Sequence, residues 1–337
     1  MARDKVLITD PYFMIHEVVE GDILSQLQSA AEITYHLPHS EVDMLNAIKD
    51  ASAIMLGDFP LTKGIIDTTE KLRIIARVGI GYNHIDLAAA TSKRILVTNV
   101  PSALSEAVAE HAVMLMLAVA RRLTLADSLA RKSRWDEFFQ RVPGPELAGK
   151  TLGIIGFGSI GTSVAQRGKA FGMKILLFDP YVNKQRAEEQ NARQVGLEEL
   201  LIESDVISIH TPLTDETKSL IGRREFSLMK KSAILINTAR GAVIDEQALI
   251  NTLKNREIAG AGLDVLSSEP PESTNALLSF DNVVLTPHCA SFTLEACKRL
   301  WFACADAVMR VLRGELPQPP ANIVNREVVS ALSTSSS

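Results

Sequence analysis

Cysteine is scarce in this 337-residue chain, with three copies at Cys289, Cys297 and Cys304. They form no C-x-x-C pair and cannot all pair with one another, so a reduced, cytoplasmic protein is expected. Long hydrophobic runs are also missing. The run from Ala112 to Ala120 covers nine residues between His111 and Arg121, whereas a membrane span needs about 20. It reads as a buried helix. The N-terminus, Met1 to Lys5, leads straight into Val6-Leu7-Ile8 without the shape of a signal peptide. No strong charge excess exists: the formal net charge of −5 gives no electrostatic reason to expect nucleic acid or an anionic membrane as partner. Repeats and low-complexity stretches are absent apart from the Ser/Thr-rich end, so 328–337 is expected to be a disordered tail.

What remains is an ordinary globular composition, 46% hydrophobic and 22% charged. The length suits two domains. Short apolar runs alternate with helical patterns almost from end to end. Ten candidate strands are Val6–Thr9, Ala53–Leu56, Ile74–Val78, Leu96–Asn99, Thr151–Gly156, Lys174–Asp179, Asp205–His210, Ala233–Asn237, Ile258–Asp264 and Asn282–Thr286. The alternation predicts an α/β protein with parallel sheets covered by helices on both faces. Ten strands exceed the usual single open sheet, so two sheets are expected. One boundary is Val100-Pro101-Ser102, where proline ends a strand and Ser102 can cap a helix over Ala103–Leu123. Apolar residues cover much of that helix's circumference, which suggests a homodimer interface. Burial within one subunit is the competing reading.

The sharpest signal lies after Thr151–Ile155, where the chain reads Gly156-Phe157-Gly158-Ser159-Ile160-Gly161 before a helical stretch. A second strand then ends at Asp179, 18 residues past Gly161. A GxGxxG alone is weak, but strand, helix and following acid complete a dinucleotide unit. The first glycine makes the turn, the second admits backbone to the pyrophosphate, and the third lets helix pack on strand. Asp179 can accept from ribose hydroxyls and repel a 2′-phosphate, so NAD is expected over NADP. His210-Thr211-Pro212 ends a later strand and should lie beside the cofactor.

Three further strands deliver charge at their carboxyl ends. Thr238-Ala239-Arg240 follows one, Asp264 and then Glu269 follow the next, and His288 follows the last. In an open α/β sheet these ends line the ligand crevice. Reduction of a keto acid by hydride needs a fixed cation for carboxylate and carbonyl, which a guanidinium supplies. It also needs a general acid of suitable pKa, and a carboxylate that keeps the imidazole charged and oriented. Taken singly, Arg240 reads as a surface ion pair, His288 as a core histidine and Glu269 as a loop charge. Placement on successive strand ends favours the joint reading.

These segments resemble the D-isomer-specific 2-hydroxy acid dehydrogenase family, which includes phosphoglycerate dehydrogenase and glyoxylate/hydroxypyruvate reductase. The resemblance is carried by Gly156–Gly161, Thr211–Thr214, Asn237–Val243, Gly262–Pro270, Thr286–His288 and Arg77–Asn83. It implies two doubly wound parallel-sheet domains. A flavodoxin-like substrate domain would span 1–100 and be completed by 290–327; a Rossmann-type NAD domain would span 101–289. It further implies Arg240 on substrate, His288 as acid/base with Glu269 its partner, and Val78 and Gly79 offering backbone N–H groups to the substrate carboxylate. Thr238, Ala239, Asp264 and His288 would lie against the cofactor.

Two departures stand out. Asp58 occupies the loop where similar phosphoglycerate dehydrogenases usually carry an arginine for phosphate, and Cys289-Ala290 replaces a common Ile-Gly pair after the histidine. No room for a C-terminal regulatory domain is expected either. An unphosphorylated substrate of the glyoxylate or hydroxypyruvate type is therefore favoured. The alternative in another class is an NAD-sensing corepressor of the same fold; a formate dehydrogenase fits poorly, because that branch has glutamine where Glu269 stands.

Overall fold

The structure, a computed structural model, describes residues 3–11, 15, 22–141, 143–182, 184–319 and 321–329. The chain divides into two compact units, one of 1–104 with 292–337 and one of 105–291.

In the first unit, β1 (Lys5–Ile8), β2 (Glu32–Tyr35), β3 (Ala53–Leu56), β4 (Ile74–Arg77) and β5 (Leu96–Asn99) form a parallel sheet in the order β2-β1-β3-β4-β5. This is the flavodoxin-like order. A short strand, Asn322–Ile323, returns antiparallel along β5. The inner strands β1, β3, β4 and β5 are continuous apolar runs because helices cover both faces. Met44, Ile48, Ile65 and Ala90 pack on Leu7, Ile54 and Ile75 in one core layer. The helix Leu294–Leu312, capped by Thr293 accepting from the Ala296 amide, packs on β3 and β4.

In the second unit, β6 (Thr151–Ile155), β7 (Lys174–Phe178), β8 (Arg193–Gln194), β9 (Val206–Ile209), β10 (Ile234–Asn237), β11 (Gly260–Leu263) and β12 (Val283–Leu285) are all parallel. Their order is β12-β11-β10-β9-β6-β7-β8. The chain order reverses between β6 and β9, and a ligand crevice opens at the carboxyl ends beside such a switch point. On one face Ala112, Leu115 and Met116 pack against Ile154, Val164 and Ile236; on the other, Leu200, Phe226, Leu249 and Leu253 close over Ile207 and Leu235.

The expected elements differ from the observed ones at edges and ends. β2, β8 and Asn322–Ile323 have no counterpart among the ten expected strands, since each lies on a sheet edge and lacks a buried apolar run. The helix expected over Ala103–Leu123 runs instead from Ser105 to Ala120. Ser102 lies in the turn before it and does not cap it. The helix stops because Arg122 takes a left-handed φ of 51°, after which a second helix covers Leu123–Arg131. Val328, placed in the tail by the sequence reading, is buried in a helical turn at 327–329. Residues 330–337 lie outside the described residues. Among the described residues no helix is long and apolar enough to cross a membrane.

Candidate active site

The glycines after β6 divide the labour as their spacing requires. Gly156 has φ 89°, and a Cβ there would lie 2.7 Å from the His210 carbonyl carbon. A Cβ on Gly161 would meet the Gly156 oxygen at 2.2 Å, so that helix turn sits directly on the strand end. At Gly158 a Cβ would meet nothing within 4 Å. Gly158 caps the helix Ser159–Ala170, with Ser159 and Ile160 as its first residues. Open space over the N–H end of a 12-residue helix is what a pyrophosphate needs. Asp179, just past β7, accepts from the Phe157 and Tyr181 amides, each at 2.7 Å. Each oxygen keeps a further lone pair for a hydroxyl donor.

Two buried polar atoms at neighbouring strand ends have no hydrogen-bond partner among the described residues: His210 Nδ1 after β9 and Thr238 Oγ1 after β10. Orphans of this kind in a crevice call for a ligand or water. Burial drives the His210 pKa down to about 3, so this ring is neutral, with Nε2 on Ser208 Oγ at 2.7 Å. Thr211 and Pro212 continue from it into a loop fastened by the Thr217 hydroxyl on the Pro212 carbonyl. The residues present therefore fit a dinucleotide.

Arg240, Glu269 and His288 do come together. His288 Nδ1 lies 2.7 Å from Glu269 Oε2, while Glu269 Oε1 accepts from the Leu266 amide at 2.9 Å. The Glu269 bond raises the His288 pKa, with burial and the Arg240 charge opposing it. Burial alone would push the Glu269 carboxyl up, but the His288 ring, the Leu266 amide and Arg240 outweigh it and hold the carboxyl below its ordinary value. Arg240 thus acts electrostatically on both partners. Its backbone oxygen accepts from Asn237 Nδ2, and the Ala239 amide donates to Asn237 Oδ1, so the last residue of β10 shapes the loop that presents the guanidinium. The His288 side chain remains 44% exposed, which leaves Nε2 room to meet a substrate.

His288 adopts a φ of 52°, a costly conformation for a residue with a Cβ. Asp264 supplies the restraint. Its backbone oxygen accepts from the His288 amide at 2.8 Å, and its carboxylate accepts from the amides of Cys289 and Ala290, both at 2.9 Å. The Thr286 hydroxyl adds a bond of 2.6 Å, and His111 reaches in from the helix Ser105–Ala120 with Nε2 3.4 Å from Oδ1. Burial would raise this carboxyl, but these donors outweigh it and bring the pKa down to about 2. The side chain is 1% exposed. Asp264, expected near the nicotinamide, is in this structure bonded to the loop at His288–Ala290 and holds it in place. Sequence reasoning missed His111 and Thr286, since no spacing rule links positions 111, 264 and 286.

In the other unit one expectation fails. The Val78 amide already donates to Leu56 O, and the Gly79 amide to Arg77 O, both at 2.9 Å. Val78 continues the β3–β4 ladder, and Gly79 lies so close over the Arg77 guanidinium that a Cβ would meet Cζ at 2.9 Å. These two amides are not open donors for a substrate carboxylate. Asp58 is ion-paired to Arg77, which also donates to the carbonyls of Leu56, Val78 and Gly81.

Comparison with known proteins agrees with this geometry. The model of the D-isomer specific 2-hydroxyacid dehydrogenase NAD binding domain matches residues 113–290. The chain is 40% identical over 339 residues to a glyoxylate reductase of Thermofilum pendens, covering 98% of this chain and 96% of that protein. It is 42% identical over 323 residues to a D-3-phosphoglycerate dehydrogenase of Methanocaldococcus jannaschii, covering 95% of this chain but 60% of that protein's length. A solved D-lactate dehydrogenase of Aquifex aeolicus, complexed with NAD and lactic acid, superposes with a TM-score of 0.81 at 30% identity, covering 97% and 98% of the two chains. With the nucleotide cradle, the switch-point crevice and these relatives in agreement, the chain belongs to the D-isomer-specific 2-hydroxyacid dehydrogenase family and is an NAD-dependent oxidoreductase.

Proposed function

We propose that the substrate is a small unphosphorylated 2-keto acid of the glyoxylate or hydroxypyruvate type, reduced to the D-2-hydroxy acid. The observation that carries this reading is the commitment of Arg77. It is the cation beside Asp58, it is 8% exposed, and four of its N–H donors go to Asp58 and three carbonyls. A phosphate at this loop would meet the Asp58 carboxylate, and among the described residues the cation paired with it, Arg77, is already engaged. Relatives named glyoxylate reductase and hydroxypyruvate reductase, at 40% and 38% identity, are in keeping with the choice.

In this mechanism the Gly156–Gly161 turn and the helix after it hold the pyrophosphate, and Asp179 holds the adenosine ribose. His210, Thr211, Pro212, Thr238 and Ala239 line the rest of the crevice. When bound, the nicotinamide supplies or takes the hydride at C2. Arg240 binds the substrate carboxylate and polarises the carbonyl with its fork of N–H donors. His288, charged through Glu269, gives its Nε2 proton to the developing alkoxide. Asp264 holds the His288 backbone in its left-handed conformation and so sets where the ring is presented. In the oxidative direction His288 starts neutral and accepts the hydroxyl proton.

The reading extends to a homodimer in the cytoplasm. Met114, Leu123, Trp135 and Phe139 are 44%, 56%, 65% and 79% exposed on the helix Ser105–Ala120 and the segment after it. An apolar face of this kind fits a second copy of the chain. The three cysteines carry no disulfide, which suits a reducing compartment. The deciding experiment is steady-state NADH oxidation with glyoxylate, hydroxypyruvate, pyruvate and phosphohydroxypyruvate. Glyoxylate or hydroxypyruvate should give the highest kcat/KM. A preference for phosphohydroxypyruvate would overturn the reading and point to another cation, with Lys63 the nearest candidate in sequence.

A further inference from the structure

Cys289 follows the acid/base directly, yet its thiol takes no part in the chemistry above. We propose that Cys289, His111 and Asp264 form a binding site for a thiophilic divalent cation of the zinc or cadmium class, and that its occupation stops turnover. Each residue offers one ligand atom, and the three atoms lie within 4.8 Å of one another. The His111 Nε2–Asp264 Oδ1 separation is 3.4 Å. With metal–ligand bonds of about 2.0–2.2 Å, the edge of a tetrahedral site is about 3.3–3.6 Å, so this pair already stands at ligand spacing. Sulfur needs only a short approach. Nitrogen, carboxylate and thiolate together suit zinc and cadmium, whereas magnesium and calcium take oxygen donors. One carboxylate and one thiolate also balance a double positive charge, which removes much of the cost of burying the ion. The fourth position stays open for water.

The present hydrogen bonds show what an ion would displace. The Thr286 hydroxyl donates to Asp264 Oδ1, which leaves its oxygen as acceptor for His111 Nε2–H at 2.9 Å. Metal binding shifts the His111 proton from Nε2 to Nδ1 and releases the thiol proton to solvent, one proton per ion. Once the Thr286 hydroxyl leaves Oδ1 to the ion, the Cys289 and Ala290 amides can remain on Asp264, because each carboxylate oxygen has two lone pairs. The site therefore forms without unwinding the clamp. It ties Cys289 to the helix Ser105–Ala120 through His111, and the adjoining His288 loses the freedom to align on substrate. At this point, where hydrogen bonds now link the helix to the loop after β12, metal would join the two.

The test uses the whole chain, reduced with a phosphine that does not compete for metal. Cadmium alone is titrated while the ultraviolet thiolate–cadmium band is followed, and zinc is titrated into the NADH-linked assay. One equivalent of cadmium should produce the band, zinc should inhibit reversibly with respect to a chelator, and magnesium should do neither. Cys289→Ala should keep the basal turnover while losing both the band and the inhibition, with affinity weakened by at least about 100-fold. His111→Gln should weaken affinity in the same direction. Cys297 and Cys304 are 1% and 0% exposed, so they should not substitute. Absence of the band in the unmodified chain, or undiminished inhibition of Cys289→Ala, would overturn the proposal. Because cadmium binding is read without substrate, a wrong choice of keto acid would not affect that result.

Discussion

Replacing Glu269 with glutamine keeps the shape of the acid/base pair and removes its charge. Two donors now share the carboxylate, the His288 ring at 2.7 Å and the Leu266 amide at 2.9 Å. Glutamine has a single carbonyl oxygen for both. If that oxygen stays on Leu266, the amide NH2 faces Nδ1 and demands an unprotonated nitrogen, which disfavours imidazolium. If it turns to His288, Leu266 loses its acceptor. A hydrogen bond to a charged group contributes about 1.5–3 kcal/mol. With the His288 and Glu269 side chains 44% and 36% exposed, screening reduces this to about 1–2 kcal/mol. That corresponds to roughly 5–30-fold in the population of charged ring. Reduction requires the charged ring, so kcat/KM falls as pH rises through the His288 pKa. The carboxylate holds that pKa above its ordinary value, so the descending limb of Glu269→Gln should move to lower pH. Well below the ordinary imidazole pKa of about 6.5, both rings are charged, and the two proteins should differ only through ring orientation. The assay is NADH oxidation with the best keto acid across the titration. A uniform loss at every pH, with the limb unmoved, would refute the reasoning.

Arg240→Lys keeps the charge but loses the two-pronged fork. It should cost about 2–4 kcal/mol in kcat/KM while NADH affinity, read by fluorescence titration, stays within twofold of the original by the same reasoning. Asp179 should make NADH the better cofactor by about a hundredfold or more over NADPH, from about 2–4 kcal/mol of like-charge contact. Asp179→Ser should narrow that ratio, and comparable kcat/KM for both cofactors in the unmodified chain would sink the assignment. Asp264→Asn tests the clamp. The carboxyl is held down to about 2, so its contribution, about 2 kcal/mol, is fully present above the unfolded value near 3.9 and disappears as pH falls through the folded one. The variant should melt several degrees lower at neutral pH, with the difference shrinking in strong acid; a difference that persisted there would mean the loss is one of packing.

Much of the NAD unit was legible along the chain because its signals are local. Gly156, Gly158 and Gly161 answer to backbone constraints within six residues, and Asp179 is set by the length of one strand–helix–strand unit. Arg240, Glu269 and His288 could be brought together by a topological rule, since each follows a strand in one parallel sheet. Edge strands β2 and β8 escaped notice because a strand exposed on its outer edge carries no apolar run. The break at Arg122 escaped because a left-handed residue leaves no mark in hydrophobic periodicity.

Tertiary structure alone decided which donors are spent and which remain. The family resemblance implies open amides at Val78 and Gly79, and the fold pairs both. Asp58 looks like an uncompensated charge, and the fold sets Arg77 against it. His111, Asp264, Thr286 and Cys289 belong to three separate stretches of chain, and they meet only because the helix Ser105–Ala120 packs across β10, β11 and β12. Sequence determines the residue types and the local geometry of each strand end. Hydrogen-bond partnership is a property of distance, and distances between remote residues exist only once the helices have closed on the sheet.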